Sequence, residues 1–135
     1  MSRRISIDPN KPFFIYDTSG EWHATVLNWC IFDGRGDYIG FVRNEAYDVY
    51  TTSGEWIGNV IGDGRIVRSN NVDRPPLLKK LPPKPPKPKL PGRAPLPPMN
   101  AELGFSKIDV LEWDPEVFKR ISDLIPDAGE DDEGS

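Results

Sequence analysis

The chain has 135 residues, 28% charged and 37% hydrophobic, with 15 prolines and a formal net charge of −4, enough for one small packed domain plus tails. It has no apolar run long enough to cross a bilayer, and Met1-Ser2-Arg3-Arg4 is not followed by the apolar stretch of a secretory signal, so a cytoplasmic protein off the membrane is expected. Cys30 is the single cysteine, which excludes an intrachain disulfide and a thiolate metal cage.

The charge is segregated along the chain. Residues 1–74 carry 8 basic and 10 acidic side chains, residues 75–98 carry 6 basic and none acidic, and residues 99–135 carry 3 basic and 11 acidic. The last two pieces are electrostatically opposite and are expected to attract each other or different partners. The division suggests a β-hairpin repeat domain over 1–74, a proline- and lysine-rich extended arm over 75–98, an apolar segment with a helix over 99–126, and an acidic disordered tail over 127–135.

Within the first region one motif recurs. Ile15-Tyr16-Asp17-Thr18-Ser19-Gly20-Glu21-Trp22, Ile31-Phe32-Asp33-Gly34-Arg35-Gly36-Asp37-Tyr38 and Val49-Tyr50-Thr51-Thr52-Ser53-Gly54-Glu55-Trp56 share an order: apolar, aromatic, turn former, two small or polar residues, Gly, acid, aromatic. (In the second copy Arg35 takes one of the small or polar places.) A further step reaches Ile66-Val67-Arg68-Ser69-Asn70-Asn71, with Asn71 where the others have glycine. Asp or Thr opening a four-residue turn that ends in Gly marks a type I turn with its last residue left-handed, forming a G1 bulge with the next. Asn tolerates that backbone next best, so Gly20, Gly36, Gly54 and Asn71 are read as four equivalent tips.

Counting outward from each tip pairs Tyr16 with Trp22, Phe32 with Tyr38 and Tyr50 with Trp56 across antiparallel strands. On the other face the same count pairs Ile31 with Ile39, Val49 with Ile57 and Ile15 with His23. A small residue recurs two positions past each second aromatic, at Ala24, Gly40 and Gly58. Glycine within a strand marks a close backbone approach, which suggests hairpins crowded around a pseudo-symmetry axis. The expected fold is all-β: a pseudo-symmetric repeat of four short hairpins.

Ile15-Tyr16-Asp17 with Gly20-Glu21-Trp22, Ile39-Gly40-Phe41, Gly62-Asp63-Gly64-Arg65-Ile66 and the prolines that follow resemble the four-fold beta flower family, small bacterial domains of four such hairpins with a proline-rich tail. The resemblance spans roughly Phe13 to Pro98. It implies a fold and no activity.

Eleven prolines lie between Pro75 and Pro98, interspersed with Lys79, Lys80, Lys84, Lys87, Lys89 and Arg93, which favours extended polyproline II and excludes helix. The tract either packs along the domain as a spacer or offers a ligand, in which Lys79, Pro82 and Pro85 have the spacing that aromatic grooves read. Further on, Asp114-Pro115-Glu116 has the form of a helix start, and Val117, Phe118, Ile121, Leu124 and Ile125 form an apolar stripe, so a helix is expected over about 115–125. With Trp113 these residues are the candidate partner-binding surface, for a protein partner or a second copy of the chain.

No spacing matches an EF-hand, a zinc cluster or a phosphate loop. His23 reads as a packing or surface histidine, Cys30 as a small core residue, and the turn acids as structural, so no catalytic residue, cofactor or metal is assigned and no enzyme is expected. Nucleic-acid binding is not expected either, because the domain is slightly acidic and the tail strongly so. The second reading is a small-molecule or peptide site, with or without enzymatic activity, on an aromatic face of Trp22, Tyr38 and Trp56. The first reading is an interaction or scaffold protein.

Overall fold

Asp17 Oδ1 accepts from the backbone N–H of Glu21 at 3.0 Å, and Asp33 Oδ1 accepts from those of Arg35 and Asp37 at 2.9 and 3.0 Å. These local bonds explain why an Asp opens two of the turns. The turns beginning at Asp17, Asp33 and Thr51 share one backbone pattern. The glycine N–H donates to the carbonyl of the opening residue, whose own N–H donates to the carbonyl of the residue after the glycine. Gly20, Gly36 and Gly54 have φ of 90°, 85° and 91°, the left-handed conformation expected of them.

The computed structural model describes residues 7–69, 75–100, 102–104 and 106–118. Its strands are β1 (Phe13–Tyr16), β2 (Trp22–Leu27), β3 (Cys30–Phe32), β4 (Tyr38–Arg43), β5 (Asp48–Thr51), β6 (Trp56–Val60), β7 (Ile66–Ser69) and β8 (Lys107–Asp109), followed by the short helix α1 (Val110–Trp113). All eight strands form one curled antiparallel sheet in sequence order. Among the described residues the secondary structure is thus mostly β, with one short helix towards the C-terminal side. Among the described residues no helix is long and apolar enough to cross a membrane.

The aromatic register agrees with expectation: Tyr16 lies opposite Trp22, Phe32 opposite Tyr38, and Tyr50 opposite Trp56. The other face does not. Ile15 pairs with Ala24, Ile31 with Gly40 and Val49 with Gly58, so His23, Ile39 and Ile57 are the extra residues of three bulges. The physical reason is space. A Cβ on Gly40 would lie 2.4 Å from the Tyr50 carbonyl oxygen, and one on Gly58 2.7 Å from that of Val67, so the neighbouring strand admits only a small residue there. The crowding comes from the adjacent strand and not from a common axis.

The fourth expected tip is not among the described residues. Asn71 lies outside the described residues, and β7 pairs on one side with β6 and on the other with β8, in the register Val67 with Asp109 and Ser69 with Lys107. A fourth turn of the same backbone pattern joins β6 to β7 at Ile61–Arg65, with Gly64 at φ 86°. It stands ten residues after Gly54, a step the longer repeat count passes over.

One buried cluster forms the core: Ile15, Val26, Ile31, Val42, Val49 and Ile66 pack together with Val110, Leu111 and Val117 from the C-terminal segment. Burying such side chains contributes on the order of 1.5–3 kcal/mol each, which is why the C-terminal segment returns to its own domain. The expected helix start at Asp114 is instead a helix end. Asp109 caps α1, its side chain accepting from the Glu112 N–H, and the Asp114 N–H donates to the Val110 carbonyl. Asp109 offers the same capping chemistry earlier in the chain, next to the apolar pair that the core takes up. Residues 115–118 form turns, and Ile121, Leu124 and Ile125 lie outside the described residues.

Candidate functional site

Two ends of the curled sheet meet at a seam built from three elements: the tip Asp17–Glu21, the turn Ile61–Arg65, and β8 with α1. The Tyr16 N–H donates to the Gly64 carbonyl at 2.9 Å, joining β1 to that turn. Arg65 is 2% exposed. Its Nε and Nη2 grip the Asp63 carboxylate at 2.7–3.2 Å, and its Nη1 donates to Thr18 Oγ1 at 3.0 Å. Thr18 in turn donates from both its N–H and its hydroxyl to Asp109 Oδ2, each at 2.6 Å. Asn100 Nδ2 donates to the Thr18 carbonyl at 2.8 Å. A charge as buried as Arg65 is tolerated only when paired and hydrogen-bonded; here that satisfaction ties the seam together.

A groove of about 510 Å3 opens along this seam, lined by Thr18, Arg65, Lys107, Ile108, Asp109 and Trp113 among others. Trp113 is 73% exposed, whereas Val110 and Leu111 on the same short helix are buried. β8 ends the strand order, so its outer edge has no ladder partner among the described residues.

The proline-rich tract has neither helix nor strand and runs against the three tips in reverse order. The Leu78 N–H donates to the Gly54 carbonyl at 3.0 Å. Lys87 lies against Gly36 and Pro97 against Gly20. The buried Tyr16 hydroxyl donates to the Pro95 carbonyl at 2.6 Å, a contact of the kind by which aromatic grooves hold extended proline segments. Lys79 and Pro82 are exposed and Pro85 is half-buried. Val117 belongs to the chain's own core and Phe118 packs partly against it.

Trp22, Tyr38 and Trp56 are half-buried and bond locally. Trp22 Nε1 donates to the Ala24 carbonyl at 2.9 Å, Trp56 Nε1 donates to Asp48 Oδ1 at 3.3 Å, and Tyr38 rests on Phe32 with ring centroids 6.2 Å apart. None of the three lines the seam groove. Burial raises the Tyr38 hydroxyl's pKa, with the nearby Cys30 adding to it, and burial likewise raises that of the Cys30 thiol.

His23, as a bulge residue, does not meet Ile15. Its Nε2 sits 2.9 Å from Asp17 Oδ2. Burial alone would raise the Asp17 pKa, but hydrogen bonds from Ser19, His23 and the Glu21 N–H together hold it below the usual carboxylate value. With Glu21 these residues bring three ligand atoms within 4.8 Å of one another, a mixed imidazole and carboxylate set able to hold a divalent cation. Sequence reasoning missed this meeting because the bulge that turns His23 towards Asp17 is a tertiary feature. It missed the seam because Thr18, Arg65 and Asp109 are far apart in the chain; the one legible signal was the pair Asp63 and Arg65 inside a glycine turn.

Comparison with protein-family models, with curated proteins and with solved structures finds no match to this chain.

Proposed function

We propose that the chain is a non-enzymatic interaction module that binds an extended segment of a protein partner at the seam groove. The observation that carries this is Trp113, exposed at the groove rim beside the open edge of β8. An unpaired edge adds an extended peptide through main-chain hydrogen bonds, and an adjacent aromatic ring supplies the anchor that dominates binding energy. The exposed Lys107 and Glu112 line the same groove, so the peptide is read as one with both charge signs and an apolar residue for Trp113. The likeness of the hairpin motifs to the four-fold beta flower family belongs to this reading, as does a reducing cytoplasm, which a lone cysteine suits. In it the proline-rich tract and the C-terminal segment dock on their own domain, while the groove faces the partner.

The test is selection of displayed linear peptides on the full chain, followed by titration of the selected peptides while tryptophan fluorescence is recorded. Trp113→Ser is expected to weaken binding by at least tenfold at unchanged thermal stability, since an exposed residue contributes little to the fold. Methylating the peptide's backbone nitrogens is expected to abolish it. Peptides whose binding ignores both changes would remove the groove from consideration.

A further inference from the structure

The basic side chains of the proline-rich tract form a second surface, independent of the seam groove. Lys79, Lys80, Lys84, Lys87, Lys89 and Arg93 are all exposed, and none of them forms an ion pair among the described residues. They are not spread over a wandering chain: contacts at Gly54, Gly36 and Gly20 pin the tract to the domain. Six like charges held on one fixed tract attract a polyanion.

We infer that this surface is covered by the chain's own acidic segment, residues 121–135. That segment carries six acidic side chains (Asp123, Asp127, Glu130, Asp131, Asp132 and Glu133) and no basic one, matching six basic and no acidic residues in the tract. The point of departure is also right. Phe118, the last described residue, lines a cavity with Asp33, Gly34 and Arg35, and Lys87 rests on Gly36 of that same tip. The acidic segment therefore sets out next to the middle of the tract. Reach is sufficient: fifteen residues extend to about 50 Å, and the tract from Lys79 to Arg93, even drawn out as polyproline II, is at most about 45 Å. Attachment to the same chain gives the segment an effective concentration in the millimolar range, well above that of an acidic competitor at ordinary concentrations. The basic tract is thereby shielded from other polyanions.

Zero-length carbodiimide cross-linking of the full chain, on an equal mixture of isotope-labelled and unlabelled protein, tests this directly. Amide links from Glu130–Glu133 to Lys79–Lys89 within one isotope population are expected at low salt and should disappear in about 1 M salt, where screening acts within about 3 Å. Absence of such links, or links between the two populations only, would overturn the inference. Heparin serves as an independent polyanion probe. The variant E130Q/D131N/D132N/E133Q is expected to bind a heparin column more tightly than E45Q/E102Q/E112Q/E116Q, which removes the same charge from exposed acids elsewhere. Equal retention of the two variants would mean that net charge alone is at work and that no shielding exists.

Discussion

Replacing Arg65 by Met leaves the Asp63 carboxylate buried beside an apolar side chain, with Thr18 deprived of one partner. Arg65 and Asp63 are 2% and 9% exposed, so solvent cannot take over the lost interactions. Removing one member of a buried pair costs about 3–5 kcal/mol. A domain of this size is stable by only about 5–15 kcal/mol. With a urea dependence near 2 kcal/mol per molar, the midpoint of unfolding should fall by about 2 M. Asp63→Asn should cost a similar amount, although the amide oxygen keeps the bond from the Arg65 N–H seen at 3.3 Å. The double variant carries no unpaired charge and should lose less than the sum of the two single changes, with a coupling of about 0.5–3 kcal/mol. Equilibrium urea denaturation followed by tryptophan fluorescence measures all three. Strictly additive effects, or a loss below about 1 kcal/mol for Arg65→Met, would refute the claim that this pair holds the seam.

Other outcomes follow from the same contacts. The folded-state carboxyl of Asp17 is held below its unfolded value, so its stabilisation is present above the unfolded value near pH 4 and disappears as pH falls through the folded one; thermal melts of Asp17→Asn should accordingly show a flatter acid limb than the parent. Gly54→Ala forces a side chain onto a backbone with φ of 91° and to within 3.0 Å of the Leu78 nitrogen, which should cost at least about 1–2 kcal/mol. Gly62→Ala meets nothing within 4 Å and should instead stabilise by up to about 1 kcal/mol, chiefly by restricting the unfolded chain; paired denaturation curves separate the two. Tyr16→Phe removes the donor to the Pro95 carbonyl at a cost of about 0.5–1.5 kcal/mol, and limited proteolysis should then cut the proline-rich tract faster.

How far the chain could be read depended on the range of the interaction. The three tips were legible because each is closed by its own residues: an Asp or Thr accepting from N–H groups a few positions on, and a glycine that tolerates positive φ. The aromatic register followed from the tips. The apolar register did not, because the bulge that sets it is chosen by how closely the next strand approaches Gly40 and Gly58. The start of α1 was not marked because Asp109 and Asp114 are both sound caps by local chemistry. Contact of Val110 and Leu111 with the core, which no local pattern records, decides between them.

For the candidate sites the division is sharper. Composition alone announced the basic tract and the acidic segment, because charge is additive and needs no fold to be counted. The seam is different. Thr18, Arg65 and Asp109 are ordinary surface-type residues until the sheet curls and brings two ends of a long chain to one place, where burial makes their pairing obligatory. Sequence by itself determined the hairpins and the charge of the tails, which rest on interactions between near neighbours. Only the tertiary structure decided which strand meets β7, where His23 turns and which tryptophan is left in solvent, since those outcomes depend on distances between residues that the chain order keeps apart.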